Sequence, residues 1–153
     1  MSVRRRSREL AMQALFYKDM SLCSSNDCIE LFPGHFNVSK SARPFFERII
    51  KGLEQFGSEI DSVIEKFSSN WKISRMACVD RNVVRIAVYE LLYCDDIPAK
   101  VSINEAVDIG KKFGTEESGA FINGILDSIR KAHEDKEILI NSEFRDNGGH
   151  FAD

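Results

Sequence analysis

Apolar residues recur at three- and four-residue steps along most of this chain, which is the spacing of one face of an α-helix. Leu10, Ala14 and Tyr17 follow it within a first segment, residues 4–20. No segment alternates apolar and polar residues for long enough to predict a β-strand. The pattern therefore predicts an all-α protein with six to seven helices in one bundle.

The central half of the chain carries the strongest helical patterns. Residues 43–67 place a long apolar stripe on one side, and Gly57 and Ser58 are predicted to divide them into two helices. Residues 75–94 are apolar on two sides, which predicts the middle of the bundle. Glu90 lies near one of these apolar faces, so we expect it to be buried beside a basic group or backbone amides. Trp71, in the connection between them, is predicted to be a core anchor.

Turn and capping signals predict the remaining boundaries. Pro98 follows the central helix, Ser102 and Glu105 have capping-box spacing, and Thr115 is expected to cap the last helix after Gly114. Residues 21–42 are predicted to be a linker with one short helical turn at about 28–32. The chain becomes polar after about residue 132, which predicts a domain over 1–133 and a flexible tail over 134–153.

Composition excludes several classes of protein. The 153 residues are 43% hydrophobic and 29% charged, as in ordinary globular proteins. No apolar run approaches the ~20 residues that span a bilayer, and no signal-peptide core follows the basic start, so we expect a cytoplasmic protein without a membrane partner. The four cysteines form no C-x-x-C pair, which favours reduced thiols over a metal site, with Cys78 and Cys94 in the core.

Positive charge is concentrated at the start of the chain. Residues 1–18 carry five positive charges against Glu9 alone, whereas the other residues carry 16 positive charges against 23 negative ones. Arg4, Arg5, Arg6 and Arg8 lie at a helix N-terminus, where the helix dipole disfavours them. The cluster therefore indicates a polyanion partner, although a solvated basic leader is the alternative. If four arginines each neutralised one phosphate of a single-stranded nucleic acid, the logarithm of the binding constant would fall with the logarithm of the salt concentration at a slope of about −3.

Motifs for catalysis are missing from the sequence. The three histidines lie near no nucleophile in a recognisable arrangement, and there is neither a phosphate-binding P-loop nor a dinucleotide-binding glycine motif. We therefore expect neither an enzyme nor a cofactor.

Two stretches of the chain resemble the NusB family of transcription antitermination factors. They are RRRSRELAMQALF at residues 4–16 and residues 79–130, which contain RIAVYEL, PAKVSINEA, KKFG and FINGILD in the order and spacing of that family. The resemblance implies two small helical bundles that form one compact domain. It also implies binding of boxA RNA in nascent ribosomal transcripts, together with the ribosomal protein NusE, in an RNA polymerase antitermination complex. Neither catalysis nor a cofactor is implied.

The resemblance also implies site residues. RNA contacts are expected at the arginine cluster and at the turn before the last helix, which corresponds to Phe113, Glu117 and Phe121. Lys111 and Lys112 flank Phe113 and are candidates for phosphate contacts, with a solvated lysine pair as the alternative. Phe113 and Phe121 would stack on unpaired bases, and core packing is the alternative for both. Phe16 and Asp80 map to the NusE surface, although Asp80 also suits a helix start.

Two other functions compete with this interpretation. NusB-like domains also occur in rRNA cytosine methyltransferases, but the sequence as given ends at Asp153 without a catalytic domain. The second alternative is a helical protein-interaction module without RNA binding. Self-association into a homodimer is a further possibility that the resemblance raises.

Overall fold

The computed structural model describes residues 2–21, 38–69 and 71–138, which form helices and no β-strand. The all-α prediction is therefore confirmed. The elements, in chain order, are α1 (Val3–Ser21), α2 (Arg43–Phe67), a 3₁₀ turn (Ile73–Arg75), α3 (Cys78–Tyr93), α4 (Ala99–Phe113) and α5 (Ser118–Glu134).

Helix α3 lies at the centre of the molecule. It packs against α1, α2, α4 and α5, so each of the other described α-helices contacts it. Twelve of its sixteen residues are buried, including Tyr89 and Tyr93. The two apolar faces read from the sequence are thus both covered by other helices.

Helix α2 is continuous, so the predicted break at Gly57 and Ser58 is wrong. A glycine inside a helix costs only about 1 kcal/mol relative to alanine. The apolar stripe continues past it at helical spacing through Phe56, Ile60 and Ile64, all of which are buried. Burial of those side chains outweighs the glycine, and the described residues hold five α-helices and one 3₁₀ turn where six to seven helices were predicted.

Three local predictions are also wrong. Ser102 does not cap α4, because the helix begins three residues earlier and the Ser102 hydroxyl donates to Glu90 at 2.9 Å. Thr115 does not cap α5, which begins at Ser118; instead, the Thr115 N–H donates to Ser118 Oγ at 2.9 Å. Trp71 is 55% exposed and anchors no core.

Glycine allows α4 and α5 to approach closely. A Cβ added to Gly110 would overlap the end of the Ile122 side chain, and one added to Gly114 would overlap Ser118 Oγ. The short connection between the two helices therefore holds the end of α4 against the start of α5. This contact places Phe113, Glu117 and Phe121 in one region of the surface.

Several predictions fall partly outside the described residues. The short turn at 28–32, Cys23, Cys28 and most of the 134–153 tail are among them, and the domain boundary at 133 remains a prediction. Cys94 is buried as expected, whereas Cys78 is only partly buried. Among the described helices, none combines the length and the apolar character needed to cross a membrane.

Candidate nucleic-acid interface

Long charged side chains join helices α1 and α4, which run in the same direction. Arg5 contacts Glu105 and Asp108, and one turn further along both helices Glu9 contacts Lys112. The arginine-rich start of α1 therefore faces the middle of α4. Lys112 and Phe113, two of the predicted RNA-contacting residues, lie at the end of α4. We call the surface along α1 and α4 from Arg5 to Phe113 the strip.

Arg4 lies over an aromatic ring of α2. Its guanidinium carbon is 4.9 Å from the centre of the Phe45 ring, and Nη2 is 3.7 Å from Asp96 Oδ2. Asp96 also accepts two hydrogen bonds from Arg48, at 2.7 and 3.1 Å. These bonds from Arg48, with the charges of Arg48 and Arg4, lower the pKa of Asp96 despite its partial burial.

Arg5 is held by two carboxylates of α4. Its Nε donates to Glu105 Oε2, and its Nη2 donates to Asp108 Oδ2 at 2.8 Å. Burial by itself would lower the pKa of Arg5, but the hydrogen bonds and the negative charges of Glu105 and Asp108 raise it above its ordinary value. About a quarter of the side chain, 26%, remains exposed.

Arg6 is the exposed member of the cluster. Within the part of the chain that the structure describes, its side chain makes no ion pair or hydrogen bond, and its backbone N–H donates to the Ser2 carbonyl. Its charge therefore points into solvent and needs no rearrangement to meet a phosphate.

Arg8 lies in the core. Its Nε and Nη2 donate to the two oxygens of Glu90 at 2.9 and 2.7 Å, and the side chains of Arg8 and Glu90 are 3% and 1% exposed. The expectation that Glu90 is buried beside a basic group is thus confirmed. The predicted contact of Arg8 with RNA would require this pair to open, so the structure assigns Arg8 a role in packing.

Lysine and phenylalanine side chains meet at the end of α4. Lys112 Nζ donates to Glu9 Oε1 at 2.6 Å and lies 5.1 Å from the centre of the Phe113 ring. Lys112 is half exposed, whereas Glu9 beneath it is 1% exposed. Lys111 is exposed and its aliphatic stem passes over Gly119. A cation and an aromatic ring thus share one surface at this end of the strip.

Glu117 and Phe121, at the start of α5, follow the end of α4 closely in the sequence. Glu117 is exposed immediately before the helix, and its carbonyl accepts the Phe121 N–H at 3.1 Å. Phe113 and Phe121 are both partly buried and pack against the core. Each ring therefore contacts the core and is also partly exposed, so it has a part in core packing and a surface on which a base could stack.

An apolar groove of about 380 Å³ opens beside Phe113, at the C-terminal half of α1. Phe16 and Tyr17 line it and are 39% and 42% exposed, and Val79 lines it as well. Asp80, next to Val79, is 8% exposed, and one of its oxygens has no hydrogen-bond partner among the described residues. The groove thus brings Phe16 close to the start of α3, although Asp80 itself does not line it.

Sequence reasoning missed the acidic partners of the arginines. Neither Asp96, Glu105 nor Asp108 was predicted to pair with an arginine, Glu105 was read only as part of a capping box, and Arg48 was not singled out. The spacing of Glu105 and Asp108, three residues apart on one face of a predicted helix, was a usable signal. Their pairing with Arg5, a hundred residues away in sequence, was not.

The chain matches the family model described as "NusB family" over residues 5–131. A transcription antitermination protein NusB of Desulfatibacillum aliphaticivorans is 54% identical over 129 residues, which cover 84% of this chain and 90% of the relative. The name of this relative describes an antitermination protein, and the family is not one of enzymes, so the prediction that the chain is not an enzyme is confirmed.

Solved structures give the same result. NusB of T. maritima superposes with a TM-score of 0.77 at 38% identity and covers 88% of this chain and 97% of its own. A crystal structure of antitermination factors NusB and NusE in complex with dsRNA gives a TM-score of 0.78 at 28% identity, over 86% of this chain and 98% of the other. The chain therefore belongs to the NusB family.

Proposed function

We propose that this chain is a transcription antitermination factor that binds boxA RNA of nascent ribosomal transcripts together with NusE. The observation that carries the proposal is the strip along α1 and α4. It places the arginines at one end and Lys112 and Phe113 at the other. The relative crystallised with NusE and RNA has the same fold, which supports both partners.

The two ends of the strip would bind different parts of a single-stranded RNA, the phosphates at one end and the bases at the other. Arg4, Arg5 and Arg6 supply cations for phosphates, which set position and contribute much of the affinity. Phe113 and Phe121 present ring surface on which unpaired bases stack, each contact being worth about 1–3 kcal/mol. Lys111, Lys112 and Glu117 surround these rings with groups that bond phosphates or base edges.

The apolar groove suits a protein partner. Phe16 and Tyr17 are large, exposed and about 17 Å along α1 from Arg5, given the rise of 1.5 Å per residue. A partner seated there would lie next to RNA bound at Phe113. NusE is the partner that the proposal assigns to this groove. The assembled pair would then join RNA polymerase in the cytoplasm.

The test is binding of a labelled boxA RNA and of a scrambled RNA, with and without NusE from the same organism, at two salt concentrations. The proposal expects tighter binding of boxA RNA, a gain with NusE and a loss with salt. A duplex of the boxA sequence separates recognition of single strands from recognition of helical RNA.

Matched variants localise the site. Arg6→Gln removes an exposed charge from the strip, and Arg75→Gln removes an exposed arginine from the 3₁₀ turn. The first is expected to weaken RNA binding and the second to leave it unchanged. Phe16→Ala is expected to weaken NusE binding and leave binding of RNA alone intact.

Equal or absent binding of both RNAs in every condition would overturn the proposal. The apolar groove favours a protein-interaction module without RNA binding as the second candidate. NusE binding that depends on Phe16, without any RNA binding, would support it. Sedimentation of the protein alone tests whether a homodimer occupies the same surfaces.

A further inference from the structure

Two carboxylates occupy one edge of the Arg5 guanidinium. Glu105 accepts from Nε and Asp108 accepts from Nη2 at 2.8 Å. Both residues lie on the same face of α4, three positions apart, and their side chains are 20% and 54% exposed. The pair therefore lies at the surface, where RNA would approach.

A bidentate arginine contact with phosphate uses two parallel N–H donors. On Arg5, the Nε–Nη2 edge supplies two such donors, and both are already bonded to carboxylates. A phosphate that binds both donors of this edge must displace both carboxylates, and a phosphate that binds one donor must displace one of them. It must also approach the negative charges of Glu105 and Asp108, which repel it.

We propose that Glu105 and Asp108 compete with RNA phosphate for Arg5 and so hold the RNA affinity of the free protein below the value that its arginines would otherwise give. This inference rests on the proposed RNA-binding function and adds a regulatory contact to that site. The competition attenuates the sequence-independent part of binding, because phosphate contacts carry no sequence information.

Asp108→Asn is the informative variant. Asp108 is the more exposed of the two acids, whereas Glu105 also lies 3.9 Å from the buried Arg8 guanidinium. Asparagine keeps the size and removes the charge. We expect scrambled and boxA single-stranded RNA to bind more tightly at low salt, by up to about fivefold, the upper end of the range for exposed ion pairs, with a smaller gain at high salt.

Asp127→Asn is the matched control. Asp127 is 41% exposed and bonds Arg130 and Lys131 on α5, so the variant changes the net charge by the same amount at another ion pair. It is expected to leave RNA affinity unchanged. A gain of the same size in both variants would overturn the proposal, because net charge alone would then explain it.

The same substitution in an Arg5→Ala background shows whether Asp108 acts through Arg5. The proposal expects the gain to disappear there, as for two residues coupled in a double-mutant cycle. A gain that persists, or weaker or unchanged binding by Asp108→Asn alone, would overturn the competition while leaving RNA binding by the wild type in place. Absence of RNA binding by the wild type and the variant alike would overturn both proposals. Melting temperatures confirm that the variants are folded.

Discussion

Arg8 and Glu90, 82 positions apart in the sequence, form a bidentate ion pair that is almost fully buried. Ser102 adds a third hydrogen bond to the same carboxylate. The pair thereby joins α1, α3 and α4 in the core of the domain. An arginine from the basic cluster at the start of the chain is thus part of the fold, while Arg6 of the same cluster is exposed.

Arg8→Met is expected to destabilise the protein by about 3–5 kcal/mol, because it leaves the Glu90 charge buried without its partner. Changing both residues, to Met and Leu, removes both charges and should recover most of that loss. Urea unfolding measures both variants. Arg6→Met serves as the control, with an expected change of no more than about 0.5 kcal/mol. Equal losses for the single and the double variant would contradict the explanation.

Gly52 and Gly57 give opposite predictions for the same substitution in the same helix. A Cβ on Gly52 would overlap the ring of Tyr89, which is buried and stacked near Phe56 and Tyr93, whereas a Cβ on Gly57 meets nothing within 4 Å.

Gly52→Ala is therefore expected to cost about 1–3 kcal/mol through overpacking. Gly57→Ala should gain up to about 1 kcal/mol from helix propensity. Thermal unfolding of the two variants decides this. A loss at both positions would indicate that Gly57 has a role that the packing does not reveal.

The helical class and the central position of α3 were predictable, because apolar residues on two sides of a helix require neighbours on both. The burial of Glu90 followed from the same pattern. The partner of Glu90 did not, since nothing local in the sequence distinguishes Arg8 from Arg6. Their difference arises from the 100° turn per residue of α1 and from where α3 and α4 pack against it.

The predicted helix boundaries at Ser102 and Gly57 were wrong for a related reason. Ser102 and Glu105 have the spacing of a capping box, but a buried carboxylate needs hydrogen-bond donors, and Ser102 donates to Glu90. Gly57 is a weak break that a long apolar stripe overrides. In both cases tertiary packing, which the sequence shows only indirectly, decided the local structure.

Asp96 gives a prediction for acidic pH. Its pKa is lowered mainly by the hydrogen bonds from Arg48, so its ionised form stabilises the folded state. That contribution is full above the unfolded pKa, about 3.9, and is lost as pH falls through the lower folded value.

Asp96→Asn should therefore lower the melting temperature at pH 7, and the gap from the wild type should narrow below about pH 4. Melting curves between pH 3 and pH 8 test this. Asp135→Asn, at an exposed acid after α5, is the control. A gap that stays constant down to pH 3 would exclude the Arg48 pair as its cause.

The burial of Arg8 changes the expected salt dependence of RNA binding. Four arginines on four phosphates would give a slope of log K against log salt near −3, but Arg8 is bonded inside the core, and the three remaining arginines give about −2. Arg6→Gln should make the slope shallower by about 0.7, one phosphate contact, while Arg75→Gln should not change it. Fluorescence anisotropy with a single-stranded boxA RNA over a range of salt concentrations gives these slopes. A wild-type slope near −3 that becomes shallower with Lys112→Gln would assign the extra contact to the end of α4, whereas an unchanged slope in Arg6→Gln would remove Arg6 from the RNA surface.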